Sequence, residues 1–326
     1  MNKTNISIAI LNYAGCMQSA VLGLKETFTL ANNICEKTKL RLNFLIEIYT
    51  TDEILQNQNR QQQKNRQPQL HVIIIPPSIN GDYYLKPDQA ILDWLHKHHA
   101  RGGVVCSVCA GTFILAATKL LQNREATTHW GLTTEFMEHF PQVLLNTNKI
   151  LINDGDIITA GGLMSWMDLG LELVAQFTNT GVMRKLGKTM VIDTGQREQR
   201  YYQSFSPKLD HGDANILNTQ HFIQANYNQP VSIATLSRLC SLGERTFLRR
   251  FVKATGIKPI QYLQRIRIQK ACDLIESTNN TFDVISLKVG YEDSSAFRKT
   301  FVKIIGLTPK EFKNRFVNNR IDNNTL

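Results

Sequence analysis

The sequence predicts an α/β N-terminal domain, a parallel sheet with helices on both faces, followed by an all-α C-terminal domain with two helix-turn-helix units. Three observations lead there. Short apolar runs alternate with amphipathic stretches through the first two thirds of the chain. Residues 245–262, RTFLRRFVKATGIKPIQY, return at 295–312 as SAFRKTFVKIIGLTPKEF, a constant offset of fifty. Basic charge gathers at the end, with 18 Lys and Arg against 10 Asp and Glu in residues 206–326, and 19 against 17 in residues 1–205. The 326 residues, 42% of them hydrophobic, suffice for two globular domains. We place these at 1–205 and 213–326, with a linker at 206–212.

From the N-terminus, ISIAIL, LNFLIEIYT, HVIIIP and GGVVCSV read as strands, and SAVLGLKETFTLANNICEK and AILDWLHKHHA as helices. Strands alternating with helices imply a parallel sheet. Between Ile54 and Leu70 the run QNQNRQQQKNRQPQ lacks apolar periodicity and reads as a solvated loop. The β-branched run VVCSV then breaks at Cys109-Ala110-Gly111 and an apolar helical pattern follows. Such a strand–turn–helix elbow exposes one side chain at the carboxyl end of a sheet, against a helix N-terminus. A lowered thiol pKa is expected there, which makes Cys109 a candidate nucleophile, redox centre or ligand contact. Cys106 is expected to face the other side of the sheet, so the C-x-x-C spacing points to neither a redox pair nor half a zinc site. Six cysteines in a chain of this length are thin for a disulfide framework, and thiols are expected. Further on come His129, at the start of another helical stretch, and DGDIITAGGLMSWMDLGLELVAQF, a strand, glycine turn and helix. The N-terminus lacks the apolar core of a signal peptide and no run reaches the roughly 18 apolar residues of a membrane span. A cytoplasmic location without membrane attachment is expected, and no metal or cofactor.

In the C-terminal part, VSIATLSRLCSLG (231–243) gives a short helix ending at Gly243, and FDVISLKVGYED (282–293) another ending near Gly290. Each leads into one copy of the repeat, so helix, turn and helix occur twice. Phe247 and Phe251, like Phe297 and Phe301, are four apart and share one helix face. The opposite face holds Arg245, Thr246, Arg249 and Arg250 in the first copy and Ser295, Arg298 and Lys299 in the second. Cationic forks and short hydroxyls suit phosphates and base edges, so double-stranded DNA is the expected partner. Pro259 opens a long helix over Ile260, Leu263, Ile266, Ile268, Ala271 and Leu274, stiff enough to hold both readers in major-groove segments ~34 Å apart.

On these residues, SLGERTFLRRFVKATGIKPIQYL and VGYEDSSAFRKTFVKIIGLTPKEF, the region 213–316 resembles the AraC/XylS family of DNA-binding domains. The elbow at Cys109, the context TTHW around His129 and the strand–glycine–helix segment resemble the superfamily of PfpI-type proteases, the Parkinson's-associated deglycase and class I glutamine amidotransferases, over residues 5–200. Together they match GlxA-like transcriptional regulators. The resemblance implies a flavodoxin-like sheet, a homodimer, RNA polymerase among the partners, and a pocket binding a small effector such as a nitrogenous metabolite. It places Gln18, Ser78, Cys109, Ala110, His129 and Gly162 around that pocket, and in the superfamily the elbow cysteine and a histidine about this far downstream meet in one site. Two departures weigh against catalysis. Pro76-Pro77-Ser78 stands where the superfamily has Pro-Gly-Gly, and Pro77 has no N–H to aim at an oxyanion. Gln18 stands where redox-active relatives have a Glu. A non-catalytic sensor is therefore expected, with Cys109 and His129 vestigial. The alternatives are a cysteine-dependent hydrolase, hydratase or deglycase, and an inert dimerisation scaffold.

Overall fold

A computed structural model describes residues 3–60, 70–195 and 197–317. It parts the chain into two compact units, Met1–Gln199 and Arg200–Leu326.

The first unit runs β1 (Thr4–Asn12), α1 (Gln18–Lys37), β2 (Leu42–Thr50), α2 (Thr51–Arg60), β3 (Val72–Ile75), α3 (Gln89–Ala100), β4 (Val104–Val108), α4 (Gly111–Ala117), β5 (Glu125–Ala126), α5 (Thr133–His139), β6 (Leu144–Leu145), β7 (Leu151–Asn153), β8 (Ile157–Ala160), α6 (Trp166–Phe177) and α7 (Thr180–Met190). Its main sheet has the order β2-β1-β3-β4-β8-β7, parallel except for β7, which pairs antiparallel with β8. Central strands covered on both faces read as unbroken apolar runs, and all of Val72–Ile75 is buried. Right-handed crossovers that leave β1 in one direction and β3 in the other put their helices on opposite faces. Accordingly α1 packs with α6 and α7, and α3 with α2 and α4. Strand order reverses between β1 and β3, and the carboxyl ends of strands at such a reversal open a crevice suited to a ligand. The edge strand β2 is closed by Asn32, whose side-chain amide donates to Phe44 O (2.9 Å) while its oxygen accepts from Phe44 N (2.7 Å).

One stretch departs from the sequence expectation. Residues 56–60 of the expected loop are the end of α2, while 61–69 of the amide-rich run lie outside the described residues. The helix starts at a capping box, Thr50 N to Glu53 Oε2 (2.9 Å) and Glu53 N to Thr50 Oγ1 (3.3 Å), a local signal that sets a helix start without apolar periodicity.

The second unit is helical: α8 (Ala214–Ala225), α9 (Ile233–Leu239), α10 (Glu244–Thr255), α11 (Pro259–Ser277), α12 (Phe282–Lys288), α13 (Ser294–Ile305) and α14 (Pro309–Phe316). The fifty-residue offset is kept in the helix bounds of α10 and α13, in the left-handed glycines that end them, Gly256 (φ 77°) and Gly306 (φ 86°), and in Pro259 and Pro309, which open the next helices. The short helix expected to end at Gly243 ends at Leu239, and Gly243 is instead the N-cap of α10. Residues 200–205 also belong to this unit. Tyr202 packs edge-on against Phe316 and Phe205 against Tyr262, while Arg315 lies over Tyr201. The stretch 206–212 is no bare tether: Gln220 Nε2 donates to Lys208 O (2.9 Å) and Gln220 Oε1 meets His211 Nε2 (2.7 Å). Ile260, expected on the apolar face of α11, is exposed, and Cys272 and Ile275 are buried there instead.

The two helix-to-helix turns differ by one residue, four from α9 to α10 against five from α12 to α13. Both need a residue at positive φ, supplied by Gly290 (86°) in the second and by Ser241 (51°) in the first. A left-handed conformation costs a side chain that glycine lacks about 1 kcal/mol. Ser241→Gly is therefore expected to raise the stability of this unit by about 1 kcal/mol, read as a higher urea midpoint at unchanged slope. Gly290→Ala, whose new Cβ would lie 2.7 Å from Asn228 O, is expected to lower it.

Candidate functional site

The helix-turn-helix pairs are α9–α10 and α12–α13. Phe247 and Phe251, and Phe297 and Phe301, are fully buried, which turns the opposite faces of α10 and α13 outward. Arg245, Thr246 and Arg249 are exposed on α10, and Ser295, Arg298 and Lys299 on α13. Among the described residues Arg245, Arg249 and Lys299 make no ion pair, and Arg298 reaches Asp283 only at 3.5 Å between two exposed side chains. Such a contact is worth little and yields readily to a phosphate. Arg250 is different. Its guanidinium forks onto Asp213 (Nε 2.9 Å, Nη2 2.7 Å), and that carboxylate, held below its ordinary pKa by Arg250, also accepts from Ile216 N at the start of α8. The geometry gives Arg250 a role in tying α10 to α8, since its charge is paired with Asp213 through two of its donors.

In the first unit Gln18, Ser78, Cys109, Ala110 and Gly162 follow the carboxyl ends of β1, β3, β4 and β8, and His129 follows β5 of the separate two-stranded sheet. The loops after β1 and β3 are laced together: Met17 N donates to Pro77 O (2.7 Å), Ile79 N to Gly15 O (3.0 Å), and Ser78 Oγ lies 3.1 Å from both Gly15 O and Asn80 O. Gln18 is exposed, and its amide turns to Asn12 Oδ1 (2.9 Å) and to Cys16, 3.3 Å from the sulfur, with no hydrogen bond to Cys109. Cys109 has the left-handed backbone of an elbow, φ 54°. Its N–H donates to Ala160 O (2.7 Å), and its carbonyl accepts from Thr128 Oγ1 (2.7 Å). Ala110, equally buried, caps α4, and Gly162 (φ 89°) begins the turn into α6.

Two expectations about this site change. The Cys109 thiol is not acidified; it is 3% exposed, and burial pushes it up to about 11. His129 does not hydrogen-bond Cys109 among the described residues. Its Nδ1 accepts from Gly131 N (3.0 Å) and its ring stacks on Trp130 at 5.2 Å, while burial draws its pKa down. With Nδ1 accepting from Gly131 N, the neutral ring carries its proton on Nε2 and keeps no free lone pair to take the Cys109 proton.

Sequence reasoning missed several residues here. Tyr13 stacks on Tyr83 (5.5 Å) and donates to Pro76 O (2.7 Å), and Tyr84 sits edge-on to Phe113 (5.1 Å). Burial raises both the Tyr13 and the Tyr84 hydroxyl, and a Cys109 thiolate would add to both shifts. Gln199, 3% exposed, donates to Thr128 O and Lys149 O (2.9 Å each) and accepts from Trp130 N (3.2 Å), pinning the His129 loop. A dipeptide of aromatics in the polar loop INGDYYLKP was the available cue for Tyr83 and Tyr84. Gln199 has no local signature.

Comparison with known proteins agrees with this division. The profile of the helix-turn-helix domain family matches residues 236–315 and that of the DJ-1/PfpI family residues 52–176. The chain joins a DJ-1/PfpI-family domain to an AraC-type helix-turn-helix domain. It is 25% identical to the HTH-type transcriptional regulator ArgR of Pseudomonas aeruginosa over 223 residues, 67% of this chain and 67% of that protein. To the HTH-type transcriptional regulator GlxA of Rhizobium meliloti it is 22% identical, over 64% of each chain. It is also 32% identical to the isonitrile hydratase of Pseudomonas putida over 110 residues, 33% of this chain and 46% of that protein. The match thus spans about two thirds of the length of these regulators. No helix among the described residues is long and apolar enough to cross a membrane.

Two outcomes follow for the DJ-1/PfpI-type and AraC-type domains. With the thiol at about 11, Cys109 is protonated at neutral pH, and its thiolate fraction grows about tenfold per pH unit. Iodoacetamide labelling of Cys109, followed by peptide mass spectrometry, is expected to be slow at pH 7 and to rise steadily to pH 9. A plateau near neutrality would show an acidified thiol instead. On the AraC-type domain, Arg249→Ala is expected to weaken DNA binding by about tenfold or more at unchanged melting temperature. Arg250→Ala is expected to lower the melting temperature first, because it strands Asp213.

Proposed function

We propose that this chain is a sequence-specific transcription regulator of the AraC/XylS type whose DNA binding is governed by a small molecule held at the strand-end crevice of its DJ-1/PfpI-type domain. The observation that carries the DNA-reading half is the pair of α10 and α13 faces, repeated at one offset, buried on their phenylalanines and open on their cations. Regulator-named relatives spanning both domains support it. The sensing half rests on the strand order, which reverses between β1 and β3 and so suits a ligand at the strand ends, with Ser78 and the Cys109 elbow in the segments that follow β3 and β4. A nitrogenous metabolite is the effector class that the resemblance to GlxA-like regulators suggests. A homodimer fits the two-fold logic of DNA sites, and RNA polymerase is the partner through which such a regulator acts.

The physical path from crevice to reader is covalent. Gln199 plugs the His129 loop, and the residues that follow it, Tyr202 and Phe205, pack against the AraC-type domain. An effector that shifts the loop moves the segment leaving it, and the response is a change in DNA affinity. A second reading, cysteine chemistry in the first domain, draws on one observation, the left-handed elbow at Cys109 that a nucleophile would occupy.

The deciding experiment is a thermal-shift screen of the full chain against amino acids, amines and betaines, with wild type and Cys109→Ala side by side. A ligand at one hundred times its Kd is expected to add about 2.7 kcal/mol of stability, equally in both proteins, and to change affinity for promoter DNA. Turnover of an amide, isonitrile or glyoxal that disappears in Cys109→Ala would establish the enzymatic reading in its place.

A further inference from the structure

The AraC-type domain has two separate apolar clusters, and α11 passes from one to the other at its middle. Tyr262, Leu263 and Ile266 belong to the first cluster, and Ile268, Ala271, Cys272 and Ile275 to the second. Arg267 stands at the crossing. Its Nε donates to Tyr227 O (2.6 Å), its Nη2 to Gln229 O (2.9 Å), and its guanidinium lies over the Tyr291 ring at 5.3 Å. Tyr227 and Gln229 are in the loop that leads into the first helix-turn-helix, and Tyr291 is in the turn of the second.

The same spot brings backbone against backbone. A Cβ on Gly290 would lie 2.7 Å from Asn228 O and 2.9 Å from Arg267 Nη2, so the turn of the second unit touches the lead-in of the first. The Tyr227 side chain packs against both clusters. Among the described residues Arg267 has no carboxylate partner, and burial draws its pKa below the ordinary arginine value. A half-buried cation without a counter-charge is disfavoured unless its donors are placed with good geometry. A planar fork can serve two carbonyls and a ring face together; a lysine cannot.

We propose that Arg267 is a positioning residue that locks the two helix-turn-helix units at one spacing and angle, and thereby sets the separation of the two DNA segments the protein accepts. The inference rests on the DNA-reading function proposed above.

The test uses the full chain and 30-bp duplexes that wild type selects from a random-sequence library. Each selected duplex is compared with a copy carrying one base pair inserted between its two segments. The insertion rotates one segment by about 35° and shifts it about 3.4 Å, and wild type is expected to lose about tenfold or more in affinity. Arg267→Lys and Arg267→Gln are expected to bind the selected duplex more weakly and to lose the spacing preference, the ratio of the two affinities falling toward one. Variants that keep the wild-type ratio, however weak their binding, would overturn the proposal, because a merely structural residue lowers both affinities alike. If Arg267→Gln shows no cooperative melt, Tyr291→Leu, which removes the ring face and leaves the arginine, is read in the same way. A wild-type protein that enriches no duplex would refute the DNA-reading function itself, a distinguishable failure.

Discussion

Burial of one face of α11 against two apolar clusters holds the reading apparatus together. Each large side chain on that face, among them Tyr262, Leu263, Ile266, Ile268 and Ile275, contributes about 1.5–3 kcal/mol by leaving water, so the helix gathers much of the gross stability of the second unit. The rest follows from it. Phe251 packs edge-on to Tyr262, which fixes the roll of α10 about its axis and turns Arg245 and Arg249 outward. Phe297 and Phe301 do the same for α13 within the second cluster. The exposed cations are thus aimed by phenylalanines that never meet the nucleic acid.

In the first unit one quantity, burial, decides between opposing effects on the same atom. The N-terminus of a helix stabilises a thiolate by about 0.3–1 kcal/mol at ordinary sites, and α4, only seven residues long, is a weak example. Raising the Cys109 thiol to about 11 corresponds to roughly 3 kcal/mol against the thiolate. Desolvation therefore wins, and the elbow holds a thiol that is protonated at neutral pH.

What the sequence made legible was local. The offset of fifty, the glycines that end α10 and α13 and the prolines that open α11 and α14 are neighbours along the chain, and their geometry follows from backbone chemistry. The strands of the parallel sheet announced themselves as apolar runs because both faces are covered. What stayed hidden depends on partners far away. Arg250 looks like its neighbour Arg249 until Asp213, thirty-seven positions earlier, takes its donors. Gln199 is an unremarked amide until Thr128 O, seventy-one positions back, is brought beside it. Helix α2 was hidden for another reason: its capping box is local, but an amide-rich composition without apolar period outweighed it.

Gln199 and Arg267 solve the same problem by the same means. Each is a long polar side chain that satisfies backbone carbonyls no regular element can reach, and each does so where two segments must keep a fixed relation. At the buried Thr128 O, losing the Gln199 donor costs part of the about 1–3 kcal/mol of an unpaired buried group, whereas Lys149 O keeps Thr127 Oγ1 and Gln229 O, at an exposed bond, can turn to water. Apolar packing tolerates small slides between surfaces; a hydrogen-bonded fork does not, because its energy falls steeply with angle and distance. Segments that must keep a fixed relation are therefore better held by directional bonds than by hydrophobic area, and this chain places such bonds at the His129 loop and at the joint between its two helix-turn-helix units.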